Sequence, residues 1–163
     1  MVMDDCRQIR RWGVGLLWVG VLAWASALSA KEWKGAVPGE TKRVEVIEKF
    51  GKPTREFSKS GKLSDGLNYK NERRVKGTKE SNFYFDKNGI LFRIDVFPAQ
   101  DIDRKKVEET YGKGFQERVT PSGHPFLLYA KDGLAVFFDK DGKKVLSVTF
   151  TAPASSPAQE INP

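Results

Sequence analysis

Cysteine is nearly absent. The single residue, Cys6, lies close to the amino terminus, and none occurs among the 133 residues from Lys31 onward. Disulfide frameworks, CxxC redox pairs, thiolate zinc sites and cysteine nucleophiles are therefore excluded from that part. Histidine is as scarce: His124 stands alone in TPSGHPF, between Gly and Pro in an expected loop. A catalytic histidine works with a nucleophile and an orienting carboxylate, and no motif surrounds any serine. Clustered Asp and Glu with metal-ligand spacing are missing, as is a phosphate loop of the GxxxxGK[ST] type. The sequence thus predicts a protein without enzymatic activity, cofactor, metal site or catalytic residues.

Long apolar runs are also lacking, with one exception. Arg7, Arg10 and Arg11 precede the apolar stretch Trp12 to Trp24, and small residues follow it. This is the order of a secretory leader, with candidate cleavage sites at Ala25-Ser26-Ala27 and Leu28-Ser29-Ala30. The stretch is shorter than the roughly 20 residues of a spanning helix, so cleavage is expected over retention as an anchor. Cys6 lies before the apolar core, where no lipoprotein attachment site would be. A periplasmic or secreted protein without a stable membrane span follows. Residues 1–30 read as signal peptide, 31–97 as a first repeat, 98–150 as a second, and 151–163, poor in large apolar residues, as a disordered tail.

Charge is present but unevenly placed. From Lys31 onward there are 25 Lys and Arg against 19 Asp and Glu. Between Lys49 and Lys79 there are ten basic residues and three acidic ones, which is the whole of the excess. A uniform solubilising charge would be spread more widely. Arg55, Lys70, Arg73, Arg74, Lys76 and Lys79 are the candidate binding residues, and an acidic partner is the expected complement; nucleic acid is not, given export.

The chain also matches itself. At an offset of 61, Arg43, Val46, Glu48, Phe50, Gly51 and Lys52 fall on Arg104, Val107, Glu109, Tyr111, Gly112 and Lys113. Leu67 and Tyr69 fall on Leu127 and Tyr129, and FYFDKNG at 83–89 on VFFDKDG at 136–142. The first copy has seven extra residues, within KNERRVKGTKES. Each copy opens with a short helix: Val44, Ile47 and Phe50, with Val46 beside them, in the first, and Val107 with Tyr111 in the second. Asp101 or Asp103 is placed to cap the second helix, and Gly51 and Gly112 to end the pair. Three strands follow in each copy: 67–70, 82–85 and 90–97, then 126–130, 134–138 and 145–150. Ile90, Phe92, Ile94 and Val96 should share one face of the third strand. The expected fold is α+β, two tandem helix-plus-three-strand antiparallel repeats with the helices packed on one face of the sheet.

DKNG and DKDG invite a calcium reading, but an EF-hand loop needs Gly at its sixth position, Glu at its twelfth and flanking helices. Here Gly comes three residues after Asp, and the flanks are strands. Bulged hairpin turns account for each residue. Tyr69 and Tyr129, with the triplets FYF at 83–85 and VFF at 136–138, are expected in the core rather than as stacking platforms for bases.

PGETKRVEVIEKFGKPTREF, followed by LNYK and FYFDKNGILFRIDVF, resembles the SmpA/OmlA/BamE-like module of bacterial envelope proteins. Gly39, Val46, Phe50, Gly51 and Pro53 carry the resemblance; the second copy has Gly114 at the place of the Pro. In tandem, such modules are similar in architecture to β-lactamase-inhibitor protein. The resemblance spans about 38–150 and implies an envelope-located protein that acts by binding another protein. Binding of anionic envelope components, such as lipid headgroups or acidic glycans, through segment 49–79 is the alternative.

Overall fold

In the computed structural model, residues 30–58 and 65–152 are described. The expected leader up to residue 29, the expected tail from residue 153, and residues 59–64 with Lys59 and Lys62 lie outside them. The elements are α1 (Arg43–Phe50), β1 (Arg55–Phe57), β2 (Asp65–Lys70), β3 (Thr78–Phe85), β4 (Leu91–Pro98), α2 (Arg104–Tyr111), β5 (Gln116–Val119), β6 (Pro125–Tyr129), β7 (Leu134–Phe138) and β8 (Val145–Thr151). All eight strands form one antiparallel sheet in the order β1-β2-β3-β4-β8-β7-β6-β5.

This corrects the expected fold. The described residues are predominantly a single eight-stranded sheet with two α-helices of eight residues, not a pair of helix-plus-three-strand units under a helical layer. Two strands were unforeseen, β1 and β5. Both are edge strands of three and four residues, and β5 is exposed along its whole length. With Phe57 the one partly buried side chain between them, REF and QERV carry no apolar alternation for a sequence reading to detect.

A two-residue period organises the interior. Leu67, Phe83, Ile94, Phe150, Leu134 and Tyr129 are successive cross-strand partners from β2 to β6, and all are buried. Fully burying a large apolar side chain contributes roughly 1.5 to 3 kcal/mol, so this row is the main support of the sheet. Phe50 of α1 packs on Tyr69 and Phe83, with ring centroids 6.2 and 5.1 Å apart. Tyr111 of α2 lies 5.8 Å from Tyr129.

Each helix is anchored by one fully inserted valine, Val46 or Val107. Val44, expected on the inner face of α1, is 55% exposed. Likewise Phe92 is not aligned with Ile94 and Val96. A register shift sets Phe85 opposite Leu91 and Tyr84 opposite Arg93, so Leu91 takes the buried position and Phe92 lies beside Tyr84.

The two halves use the same local devices. Asp103 Oδ1 accepts from Lys106 N at 2.7 Å, which makes it the cap of α2, while Asp101 pairs with Lys144. Gly51 and Gly112 end the helices, and the Tyr69 and Tyr129 hydroxyls donate to their carbonyls at 2.9 and 3.0 Å. Arg43 pairs with Glu56, and Arg104 holds Glu117 through two bonds of 2.7 and 2.9 Å. In the hairpin turns, Asp86 Oδ1 accepts from Asn88 N and Ile90 N, and Asp139 Oδ1 from Lys143 N and Lys144 N. Those two amides hold the Asp139 carboxyl below the usual carboxylate range.

Candidate binding face

One residue out of step with the apolar row, a second row crosses the sheet. Arg55, Asn68, Asn82, Asp95, Thr149, Ala135, Leu128 and Gln116 are successive cross-strand partners through all eight strands. Because side chains alternate between faces, this row lies on the surface opposite the one that α1 and α2 contact. Its centre is polar and internally bonded. Asn68 Nδ2 donates to Glu80 Oε1 and Asn82 Oδ1, both at 2.7 Å. Thr149 Oγ1 donates to Asp95 Oδ1 at 2.7 Å, and Arg93 Nε to the same oxygen at 2.9 Å. Asn68 Oδ1 is buried without a hydrogen-bond partner.

Aromatic rings flank the polar centre on both sides. Toward β1, Phe57 meets Tyr84 edge to face at 5.6 Å, and Tyr84 meets Phe92 at 6.4 Å. Two guanidiniums lie over these rings, Arg55 at 5.9 Å from Phe57 and Arg93 at 5.5 Å from Tyr84. Gly66 makes the arrangement possible. A Cβ there would collide with the Phe57 ring and come within 2.8 Å of the Phe83 carbonyl oxygen, so the absent side chain is the seat of the ring. Toward β5, Phe126 and Phe137 stack at 5.0 Å. Phe57, Tyr84, Phe92, Phe97, Phe126 and Phe137 are all only partly buried. Burial, and then the neighbouring Asp95 carboxylate, pushes the Tyr84 hydroxyl up from its ordinary range, so it is a neutral donor at physiological pH.

The six basic residues anticipated from sequence do not form one cluster on this face. Arg55 stands in the polar row, and Lys70 lies opposite Glu80 in the β2–β3 register. Arg73 and Arg74 occupy the single-turn helix after β2 and its end, where they donate to the carbonyls of Pro53 and Asn71, each at 2.9 Å. Lys76 lies in the following turn and Lys79 in β3; all six are exposed. The extra residues of the first half thus form the β2–β3 connection and lengthen β3, which has eight residues against five in β7. The aromatics are the part the sequence misplaces: Tyr84 and Phe137, expected in the core, lie on the open face, and Phe57 was not singled out. Phe57 followed nine residues later by Gly66 was the available signal, a ring and the glycine it covers.

His124 Nδ1 donates to the Phe138 carbonyl at 3.1 Å and so ties the β5–β6 loop to the end of β7. Among the described residues no three His, Cys, Asp or Glu side chains are grouped to hold a metal ion, and no helix is long and apolar enough to cross a membrane.

No family model and no curated protein matches this chain. Two solved structures are similar to it in fold. YjgB of Bacillus subtilis, a DUF4309 family protein, has a TM-score of 0.52 at 15% identity, over 73% of this chain and 83% of that one. An extracellular protein containing a SCP domain from Bacillus anthracis has a TM-score of 0.52 at 11% identity, over 93% of this chain and 50% of that one. The present chain therefore spans half the length of the second protein.

Proposed function

We propose that this protein is an exported, non-enzymatic binding module of the bacterial envelope, working in the periplasm or outside the cell. It engages another protein with the open face of its sheet. The observation that carries the reading is the face itself: a polar row across eight strands, with partly exposed rings at either side. Rigid aromatic rings beside guanidinium groups are the composition of interface anchors, and their exposure on a folded surface calls for a partner. The leader-like amino terminus supports export. The fold shared with an extracellular Bacillus anthracis protein agrees with it, and the BamE-like motif supports an envelope setting. Arg73, Arg74 and Lys76 stand beside the face, at the end of the sheet, and select for an acidic partner.

Site-directed photocrosslinking in the producing cell tests this. Probes at Tyr84 and Phe126 should capture the same partner, while a probe at Val44, exposed on α1, should not. Changing Arg73, Arg74 and Lys76 together to Glu should leave the fold intact and weaken the capture at least tenfold. Crosslinks no stronger at Tyr84 and Phe126 than at Val44 would overturn the reading.

The second reading, recognition of anionic envelope components, is favoured by the same loop. Arg73, Arg74 and Lys76 form no ion pair with any described residue. Adsorption to anionic vesicles that disappears in high salt and is lost in the triple Glu variant would favour it.

A further inference from the structure

The side of the sheet away from the polar row carries a groove. Val96 of β4 with Val148 and Phe150 of β8 line it, together with Trp33, Ile102 and Tyr111. Its volume is about 240 Å³, and an adjoining hollow of about 510 Å³ shares Ile102, Tyr111 and Val148. Val96 and Phe150 are buried at its base, and Trp33, Ile102, Tyr111 and Val148 are partly buried around them. Trp33 is held in place by stacking on Phe50 at 5.7 Å and contacting Phe83 at 5.8 Å.

Two lysines, Lys34 and Lys76, are among the residues that line the groove. Lys34 Nζ lies 6.0 Å from the Trp33 ring, and neither lysine forms an ion pair with a described residue. Lys34 adopts φ of 50° in the turn between the bridged residues Trp33 and Ala36. With Gly35 also at positive φ, this is a two-residue hairpin turn, and it holds Lys34 next to Trp33. The far hollow differs: its acids are used internally, Asp103 as the α2 cap and Asp101 as the partner of Lys144. Lys34 and Lys76 therefore bring positive charge to a groove whose base is apolar.

We infer that this groove binds a free fatty acid, its carboxylate at Lys34 and Lys76 and its chain along Val96, Val148 and Ile102. Charge complementarity selects the head, and the apolar floor selects a single alkyl chain. The groove lies on the opposite side from the proposed protein-binding face and shares only Lys76 with the residues proposed to select that face's partner. Each methylene buried should tighten binding about fourfold.

Trp33 is the natural reporter, since the other three tryptophans, Trp12, Trp18 and Trp24, lie in the leader-like stretch. Emission of the full chain is compared with that of its Trp33→Phe variant, so that the difference belongs to Trp33 whether or not the leader is retained. Decanoate and dodecanoate, below their micelle concentrations, should give a saturable one-to-one change, with dodecanoate on the order of tenfold tighter. Decyltrimethylammonium should bind at least tenfold more weakly than decanoate. The Lys34→Glu, Lys76→Glu double variant should lose at least tenfold in affinity for decanoate, and Val148→Phe should fill the floor and abolish the response. Equal responses to the two head charges, or no saturable change, would overturn the inference. The head-group comparison uses unaltered protein and decides the matter even if a variant fails to fold. Val148→Phe should leave crosslinking from Tyr84 and Phe126 unchanged, which separates this site from the other.

Discussion

Tyr69 shows how one side chain can join three levels of the structure. Its ring is buried against Phe50 and Phe83, and its hydroxyl donates to the carbonyl of Gly51 at the end of α1. Burial, chiefly, pushes its pKa up from 10.0 to about 12. The folded protein therefore keeps this proton where the unfolded chain has lost it. Stability from this group is complete below pH 10.0 and is lost as pH rises toward about 12. Tyr69→Phe should cost about 1 kcal/mol near neutrality and flatten the alkaline fall in melting temperature. Urea titrations at pH 8 and pH 11 would show both effects; an unchanged alkaline slope would count against them. The role of Tyr69 was legible from its match to Tyr129, but its hydrogen bond was not. That Arg43 and Arg104 would each find a carboxylate was equally open to reading, because Glu56 and Glu117 recur at the same offset of 61.

At the scale of elements, the strongest signals were those that local chemistry alone determines. The phrases DKNG and DKDG predict tight turns, and the turns are there, each with an aspartate accepting two backbone amides. Gly89 and Gly142 have φ of 75° and 70°, where a Cβ costs about 1 to 2 kcal/mol. Gly89→Ala and Gly142→Ala should each lower stability by that amount in denaturant titrations. Calcium should leave the melting temperature of the wild type unchanged, and a calcium-dependent rise would restore the metal reading. The weakest signals belonged to the edges. A strand such as β5, with Gln116, Glu117, Arg118 and Val119 all exposed, owes its conformation to its neighbour and not to its own sequence. The candidate face was half visible for a related reason. Basic residues advertise themselves by charge, whereas Phe57 and Tyr84 look like core residues until the register shows which side they occupy.

For the molecule as a whole, the decisive contact is the pairing of β4 with β8. It joins two similar halves into one sheet, through the register Arg93 to Thr151, Ile94 to Phe150, Asp95 to Thr149 and Val96 to Val148. Sequence similarity within the chain could reveal that the halves correspond. It could not reveal that their last strands meet, because pairing between distant strands depends on surfaces that exist only after each half has formed. Both proposed sites draw on this seam. Asp95 and Thr149 lie under the open face, and Val96 and Val148 line the groove on the other.

The seam also sets an order of events during synthesis. β4 is complete at Pro98, yet its partner begins only at Val145. While residues 99–144 are being made, one edge of β4 has no neighbour, and an unpaired edge is a template for another copy. A chain stopped after residue 98 should therefore associate with itself through β4, eluting as a dimer or larger in size-exclusion chromatography, whereas the full chain supplies its own β8. On this view the second half acts as an internal chaperone for the first.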